Sequence, residues 1–207
     1  MNPNHRGVGV LSLQGDFAAH LAMLDELGVG AFEVRRPAQL DALGGLVIPG
    51  GESTTLLRFM AYEPAWWDAL GAFHERGGAI LGTCAGLILC ACEVRAPRQR
   101  SLGVLDVDVD RNSYGRQIDS FVANGEWADG RAMEMVFIRA PRITRVGPRV
   151  EVLARHAGEA VAVREGAVIG CAFHPELARD PSLHRLLLDA VSAPEESAPG
   201  PGRSVQT

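Results

Sequence analysis

The 207-residue sequence contains no lysine; all 20 of its basic residues are arginines. That absence excludes several chemistries. The chain cannot itself form a Schiff base with a carbonyl substrate or hold pyridoxal phosphate covalently, and it lacks the P-loop lysine of a Walker-type ATPase. Cysteine is scarce. Cys84, Cys90, Cys92 and Cys171 are too few for a disulfide framework in a chain this long, and they read as free thiols of a reducing, cytoplasmic protein. No run approaches the roughly 18 apolar residues of a membrane span. Residues 1–15 lack the apolar region and small-residue cleavage site of a signal peptide. The net charge of -5, with no arginine run, speaks against a nucleic-acid partner. Without a CxxC pair or an HExxH segment, no metal is expected, and no cofactor.

What is present suits one globular domain with a sizeable core: 47% hydrophobic and 22% charged residues. Short apolar runs at 7–13, 31–34, 45–48 and 79–82 read as buried strands. Helical patterns separate them at 17–27, with Asp16 as N-cap, and at 53–61, 64–76 and 85–92. This order predicts a three-layer α/β fold: a mostly parallel central sheet with helices on both faces. Further strands at 104–109, 133–138, 150–154, 160–164 and 167–171, several joined by short turns, predict antiparallel additions. A closing helix is expected over 181–191. The domain is read as residues 1–192. Residues 193–207, rich in Pro, Gly and Ser, are read as a disordered tail.

The sharpest signal is Gly82-Thr83-Cys84-Ala85-Gly86, between a strand and a helix. That is the context of a nucleophile elbow, in which glycines accommodate a strained turn. A helix N-terminus favours thiolate over thiol, and the Ala85 N–H is placed to stabilise an oxyanion. A lone cysteine is more often a structural core residue, but the flanking glycines and the strand-to-helix position favour the nucleophile. His174 and Glu176, in Phe173-His174-Pro175-Glu176, fall on one side of an extended segment. They suit a base and its orienting group, although a neighbouring backbone group would serve the second role equally well.

The turn Pro49-Gly50-Gly51-Glu52-Ser53 follows a parallel strand, on the edge where ligands bind. Gly50 and Gly51 are candidate oxyanion donors, and Ser53 is a candidate helix cap. Cys90 and Cys92, two apart on a predicted helix, face different directions and read as packing. His20 reads as a solvated or satisfied histidine, and Trp66-Trp67 as helix packing.

Taken together, these segments resemble the class I glutamine amidotransferases, and within them the glutaminase subunits of pyridoxal 5'-phosphate synthases. Gly9-Val10-Leu11-Ser12-Leu13-Gln14-Gly15, Gly51-Glu52-Ser53-Thr54-Thr55, Arg111-Asn112-Ser113-Tyr114-Gly115-Arg116-Gln117 and Ile138-Arg139-Ala140-Pro141 point to that branch. The elbow and the His-Pro-Glu segment are shared more widely. The resemblance implies a Cys84–His174–Glu176 triad that hydrolyses L-glutamine. It implies glutamine contacts from Gly51, Glu52, Ser53, Arg111, Ile138 and Arg139. For Arg111 elementary chemistry agrees, since a guanidinium suits an α-carboxylate. The implied partner is a lysine-containing barrel synthase that receives the ammonia, and the missing lysine fits that division of labour. Three other readings share parts of the pattern: a glutaminase serving another synthase such as that of histidine biosynthesis, a different enzyme class with an elbow cysteine, and a non-catalytic regulatory subunit.

Overall fold

The apolar runs fold where their pattern predicts. The computed structural model describes residues 7–111, 120–178 and 180–193. Strands β1 (Gly7–Leu11), β2 (Phe32–Val34), β3 (Leu43–Ile48) and β4 (Ala79–Thr83) alternate with helices α1 (Phe17–Glu26), α2 (Ser53–Tyr62) and α3 (Ala65–Glu75). Every residue of β4 is buried, as an unalternating apolar strand covered on both faces requires. A short helix α4 (Ala85–Cys90) follows β4. Then come β5 (Ala91–Arg95), β6 (Leu105–Asp110), β7 (Phe121–Trp127), β8 (Ala132–Phe137), β9 (Arg142–Val146), β10 (Glu151–His156), β11 (Glu159–Glu165), β12 (Val168–Cys171) and α5 (Ser182–Ser192).

Nine strands form the main sheet in the order β2-β1-β3-β4-β12-β11-β10-β7-β8. The β2-β1-β3-β4-β12 half is parallel, and the β12-β11-β10-β7-β8 half is antiparallel. The antiparallel additions are therefore as numerous as the parallel pairings. A second, three-stranded sheet runs β5-β6-β9.

Register shows which layer covers which face. Ile48, Gly82 and Gly170 are aligned across β3, β4 and β12, so they share a face. A Cβ on Gly170 would meet Leu87 of α4 and Leu105 of β6, so α4 and the small sheet cover that side. Gly45 lies an odd number of residues from Ile48 and faces the other way, where a Cβ would meet Val191 and Leu187 of α5. Helix α1 joins α5 there through the His20–His184 contact. Trp66, Leu70 and Phe73 of α3 are buried, as expected for Trp66. No helix among the described residues is long and apolar enough to cross a membrane.

Three expectations are corrected. The helix after the elbow ends at Cys90, and Ala91–Arg95 is a strand, so Cys92 is exposed on β5 rather than helical. Strands β7 and β9 were not anticipated. Phe121–Trp127 alternates half-buried and exposed residues at its start and contains Asn124-Gly125, a pair that reads as a turn. Glu52, not Ser53, caps α2, its carboxylate accepting from the Thr54 N–H. Asn112–Gln117, expected to carry part of the family pattern, and the tail 194–207 lie outside the described residues.

Candidate active site

The parallel half of the sheet brings four loops to one edge. Those after β1, β3, β4 and β12 all leave the carboxyl ends of neighbouring strands. Cys171 pairs with Thr83 across β12 and β4, and the Cys84 N–H donates to the Cys171 carbonyl at 2.8 Å. The two chain segments that carry Cys84 and His174 are thereby held in register.

Cys84 has φ 47° and ψ -99°, a strained backbone for a side-chain-bearing residue. Its neighbours explain how the turn is tolerated. A Cβ on Gly82 would lie 2.7 Å from backbone atoms of Gly86, and one on Gly86 would lie 2.0 Å from the Ile48 carbonyl oxygen. Only glycine lets strand, turn and helix approach so closely. Gly50 crowds the same point. A Cβ there would lie 2.3 Å from His174 Cε1 and 3.2 Å from Cys84 Cβ.

Gly50 thus marks the point where the His174 ring and Cys84 come together. His174 Nδ1 lies 2.7 Å from Glu176 Oε1. The Glu176 side chain is fully buried and that of His174 nearly so. Burial opposes charge on His174, but its interactions with Cys84 and Glu176 outweigh it, raising its pKa to about 10. An imidazolium at neutral pH follows. The segment is not extended: His174 caps a 3-10 turn, Pro175–Leu177, and that turn folds Glu176 back onto the ring.

Two further thiols are buried in the core. Burial pushes Cys90 up to about 12. Burial and the Glu176 charge push Cys171 up as well, and its thiol donates to the Phe173 carbonyl at 3.3 Å.

Around Cys84 stand the residues expected to bind substrate. The Ile138 carbonyl oxygen lies 3.9 Å from Cys84 Sγ. Glu52 lies 3.9 Å from Arg111 and 3.7 Å from Arg139. Its carboxyl is held below the usual range, first by the Thr54 hydroxyl and then by both guanidinium groups. The Arg111 side chain is only 12% exposed, and its Nε is buried with no hydrogen-bond partner among the described residues. Ser53 is buried, and its hydroxyl donates to Gln99 Oε1 at 3.3 Å. Arg139 lies on the same rim with its side chain 74% exposed.

Of the backbone donors, Ala85 is the first residue of α4 and has no intrahelical acceptor for its N–H. Gly51 has φ 139° and rests against Gln14 and Gly15; Gln14 Oε1 accepts from the Glu52 N–H at 2.9 Å. The Gly50 N–H is already committed to Thr83 Oγ1 at 2.8 Å. It becomes an oxyanion donor only if that bond is released.

One neighbour was not named from sequence. His20, read there as a solvated or satisfied histidine, is fully buried behind His174 and Glu176, with Nε2 3.2 Å from Glu176 Oε2. It precedes the buried Met23 and Leu24 by three and four residues. Helical spacing therefore placed it on the inner face, but nothing in the sequence named its partner.

Comparison with known proteins identifies the family. The family described as the SNO glutamine amidotransferase family matches residues 10–192. The pyridoxal 5'-phosphate synthase subunit PdxT of Deinococcus radiodurans is 50% identical over 87% of this chain and 95% of its own length. The protein of the same name from Acidothermus cellulolyticus is 48% identical over 92% and 96%. A crystal structure of a glutamine amidotransferase, 45% identical, superposes with a TM-score of 0.82 over 90% of this chain and 99% of its own. The structure of PurLQS from Thermotoga maritima, at 16% identity and a TM-score of 0.67, shares the fold alone. This chain belongs to the SNO glutamine amidotransferase family.

Proposed function

We propose that this protein hydrolyses L-glutamine through a thioester on Cys84 and supplies the ammonia to a partner subunit of a pyridoxal 5'-phosphate synthase. The observation that carries the reading is the meeting of Cys84 and His174 beside Gly50 at the carboxyl edge of the sheet, with His174 Nδ1 2.7 Å from Glu176 Oε1. The partner follows from the relatives, which bear the name of a subunit of that synthase at 48–50% identity over nearly their whole length. Acceptor chemistry that runs through an imine belongs on that partner, a lysine-containing barrel, because this chain has no lysine. Its free thiols suit a reducing cytoplasm.

In the reaction, the Cys84 thiolate attacks the side-chain amide carbon of glutamine. The carbonyl oxygen takes up the negative charge and is held by backbone donors at Gly51 and Ala85; one such donor contributes about 3 kcal/mol. As the C–N bond breaks, the His174 imidazolium gives its proton to the leaving nitrogen, and ammonia departs from a thioester. The now neutral His174 removes a proton from water, whose oxygen attacks the thioester carbon. Glutamate forms, and the thiolate and imidazolium return. Glu176 holds the imidazole and its positive charge throughout. Arg111 binds the α-carboxylate of the substrate, and Glu52 faces its α-ammonium group, with Ser53, Ile138 and Arg139 lining the same rim.

The test uses the assembled synthase. Cys84→Ala is expected to abolish product formation from glutamine while leaving product formation from added ammonia unchanged. A Cys84→Ala complex that still uses glutamine ends this reading.

A further inference from the structure

Behind the triad lies a buried polar group that the mechanism above does not use. His20 on α1 and His184 on α5 are both fully buried, from helices that cover the same face of the sheet. His20 Nδ1 and His184 Nε2 are 2.9 Å apart. The other nitrogen of His20, Nε2, lies 3.2 Å from Glu176 Oε2 and 3.3 Å from Thr83 Oγ1. Thr83 Oγ1 in turn accepts from the Gly50 N–H. The titratable groups facing His20 are thus His184 from α5, Glu176 and His174 from the segment after β12, with Thr83 at the end of β4.

The proton positions follow from electrostatics. Two arrangements satisfy the His20–His184 contact. In one, His184 Nε2–H donates to His20 Nδ1, and His20 Nε2–H points at Glu176 and Thr83. In the other, His20 Nδ1–H donates to His184, and the lone pair on His20 Nε2, within reach of the Thr83 hydroxyl at 3.3 Å, also faces a carboxylate oxygen at 3.2 Å. The second sets two electron-rich atoms against each other in a buried site where such repulsion is poorly screened. It also leaves a buried N–H on His184 Nδ1, which has no partner among the described residues. The first leaves only a lone pair there.

Glu176 Oε2 lacks a well-aligned hydrogen bond even so, and His20 Nε2–H is the donor nearest to it among the contacts described above. A fully buried carboxylate held only through Oε1 would be an under-compensated charge. A neutral imidazole on Oε2 supplies a donor without cancelling the negative charge that His174 needs. Burial, then the neighbouring His184 and His174, hold the His20 pKa well below its ordinary value, which keeps that imidazole neutral.

Building on the triad reading above, we propose that His20 is a positioning residue: its Nε2–H faces the far oxygen of Glu176 across 3.2 Å, in a tautomer dictated by His184, and so helps aim the near oxygen at His174. Through Thr83 the same nitrogen joins that contact to the Gly50 turn.

The test compares His20→Gln, whose amide donor reaches the place of Nε2, with His20→Leu and His20→Asn, which do not present a donor there. Each is assayed in the assembled synthase. His20→Leu and His20→Asn are expected to lower kcat with glutamine on the order of 10- to 100-fold, as when a partner that orients an active-site histidine is removed, with KM for glutamine little changed. His20→Gln is expected to recover most of kcat. Co-elution with the synthase and the melting temperature identify any variant that fails to fold. If His20→Leu is lost in that way, the Asn and Gln pair decides. The proposal is overturned if a folded Leu or Asn variant keeps full kcat, or if Gln is impaired as severely as Asn, which would mean that only packing matters. Cys84→Ala in the same assay separates the two levels. If it still turns over glutamine, the triad reading itself fails. If it is inactive while His20→Asn is fully active, only the role of His20 falls.

Discussion

The Gly50 amide donates to Thr83 Oγ1 over 2.8 Å, which ties the turn after β3 to the residue immediately before the nucleophile. Both partners are buried. The bond therefore belongs to the energetics of the edge as well as to its geometry. A valine at position 83 would match threonine in shape and leave the Gly50 N–H unpaired, costing about 1–3 kcal/mol. Thr83→Val is expected to lower the melting temperature by several degrees, at roughly 2–4 °C per kcal/mol for a domain of this size. Thr83→Ser is expected to melt close to the parent. Equal melting of the Val and parent proteins in a calorimetric scan would show that the bond contributes nothing.

Arg111 has a nearly buried guanidinium whose Nε has no partner among the described residues. A charged hydrogen bond to a substrate carboxylate is worth about 1.5–3 kcal/mol. Arg111→Ala is accordingly expected to lower kcat/KM for glutamine by about 10- to 100-fold, mostly through KM. Lysine is a poor replacement because it loses the planar fork. Steady-state kinetics with an unchanged KM would remove Arg111 from the glutamine site.

Gly86 has no room to grow. The oxygen a new Cβ would strike, 2.0 Å away on Ile48, belongs to the backbone and cannot swing aside. Gly86→Ala is expected to destabilise the fold by about 1–3 kcal/mol or more and to displace the elbow, abolishing turnover. Urea titration gives the first quantity and glutamate release the second. An alanine variant of parental stability would mean that helix and strand are less tightly apposed than described.

The buried histidine pair gives stability a pH signature. Burial lowers the His184 pKa from 6.5 to about 4 and lowers that of His20 well below 6.5. Both are therefore neutral in the folded chain, whereas the unfolded chain takes up protons as pH drops below 6.5. Their contribution is complete above that value and declines as pH falls toward 4, by up to about 1.4 kcal/mol per pH unit for each histidine. Urea midpoints should drop between pH 6.5 and 5.5, ahead of most carboxylate titration, and drop less in His184→Gln. A midpoint constant across that interval contradicts the burial of this pair as neutral rings.

Much of this was legible in the sequence because the signals are local. An apolar run buried on both faces does not alternate, so β1, β3 and β4 announced a covered parallel sheet, whereas β12, read among the antiparallel additions, pairs parallel with β4 and antiparallel with β11. Glycines on either side of Cys84 marked a turn where Cβ atoms collide, and the structure shows the collisions. Local signals also misled. The segment after the elbow kept an apolar helical pattern through Cys92, yet the chain turns into β5 at Ala91, where pairing with β6 outweighs propensity. The half-polar strands β7 and β9 sit against other strands whose identity no short window reveals.

Sequence alone determined the fold class and singled out Cys84, His174 and Glu176 as the candidate site, because each is announced by its immediate neighbours along the chain. Only the tertiary structure decided what stands behind them. His20 and His184 are 164 residues apart; helical spacing puts His20 on the inner face of α1, but nothing local names the partner of either. Their meaning arises where two helices cover one face of the sheet and close off water, since a buried carboxylate needs a second donor there and an exposed one does not.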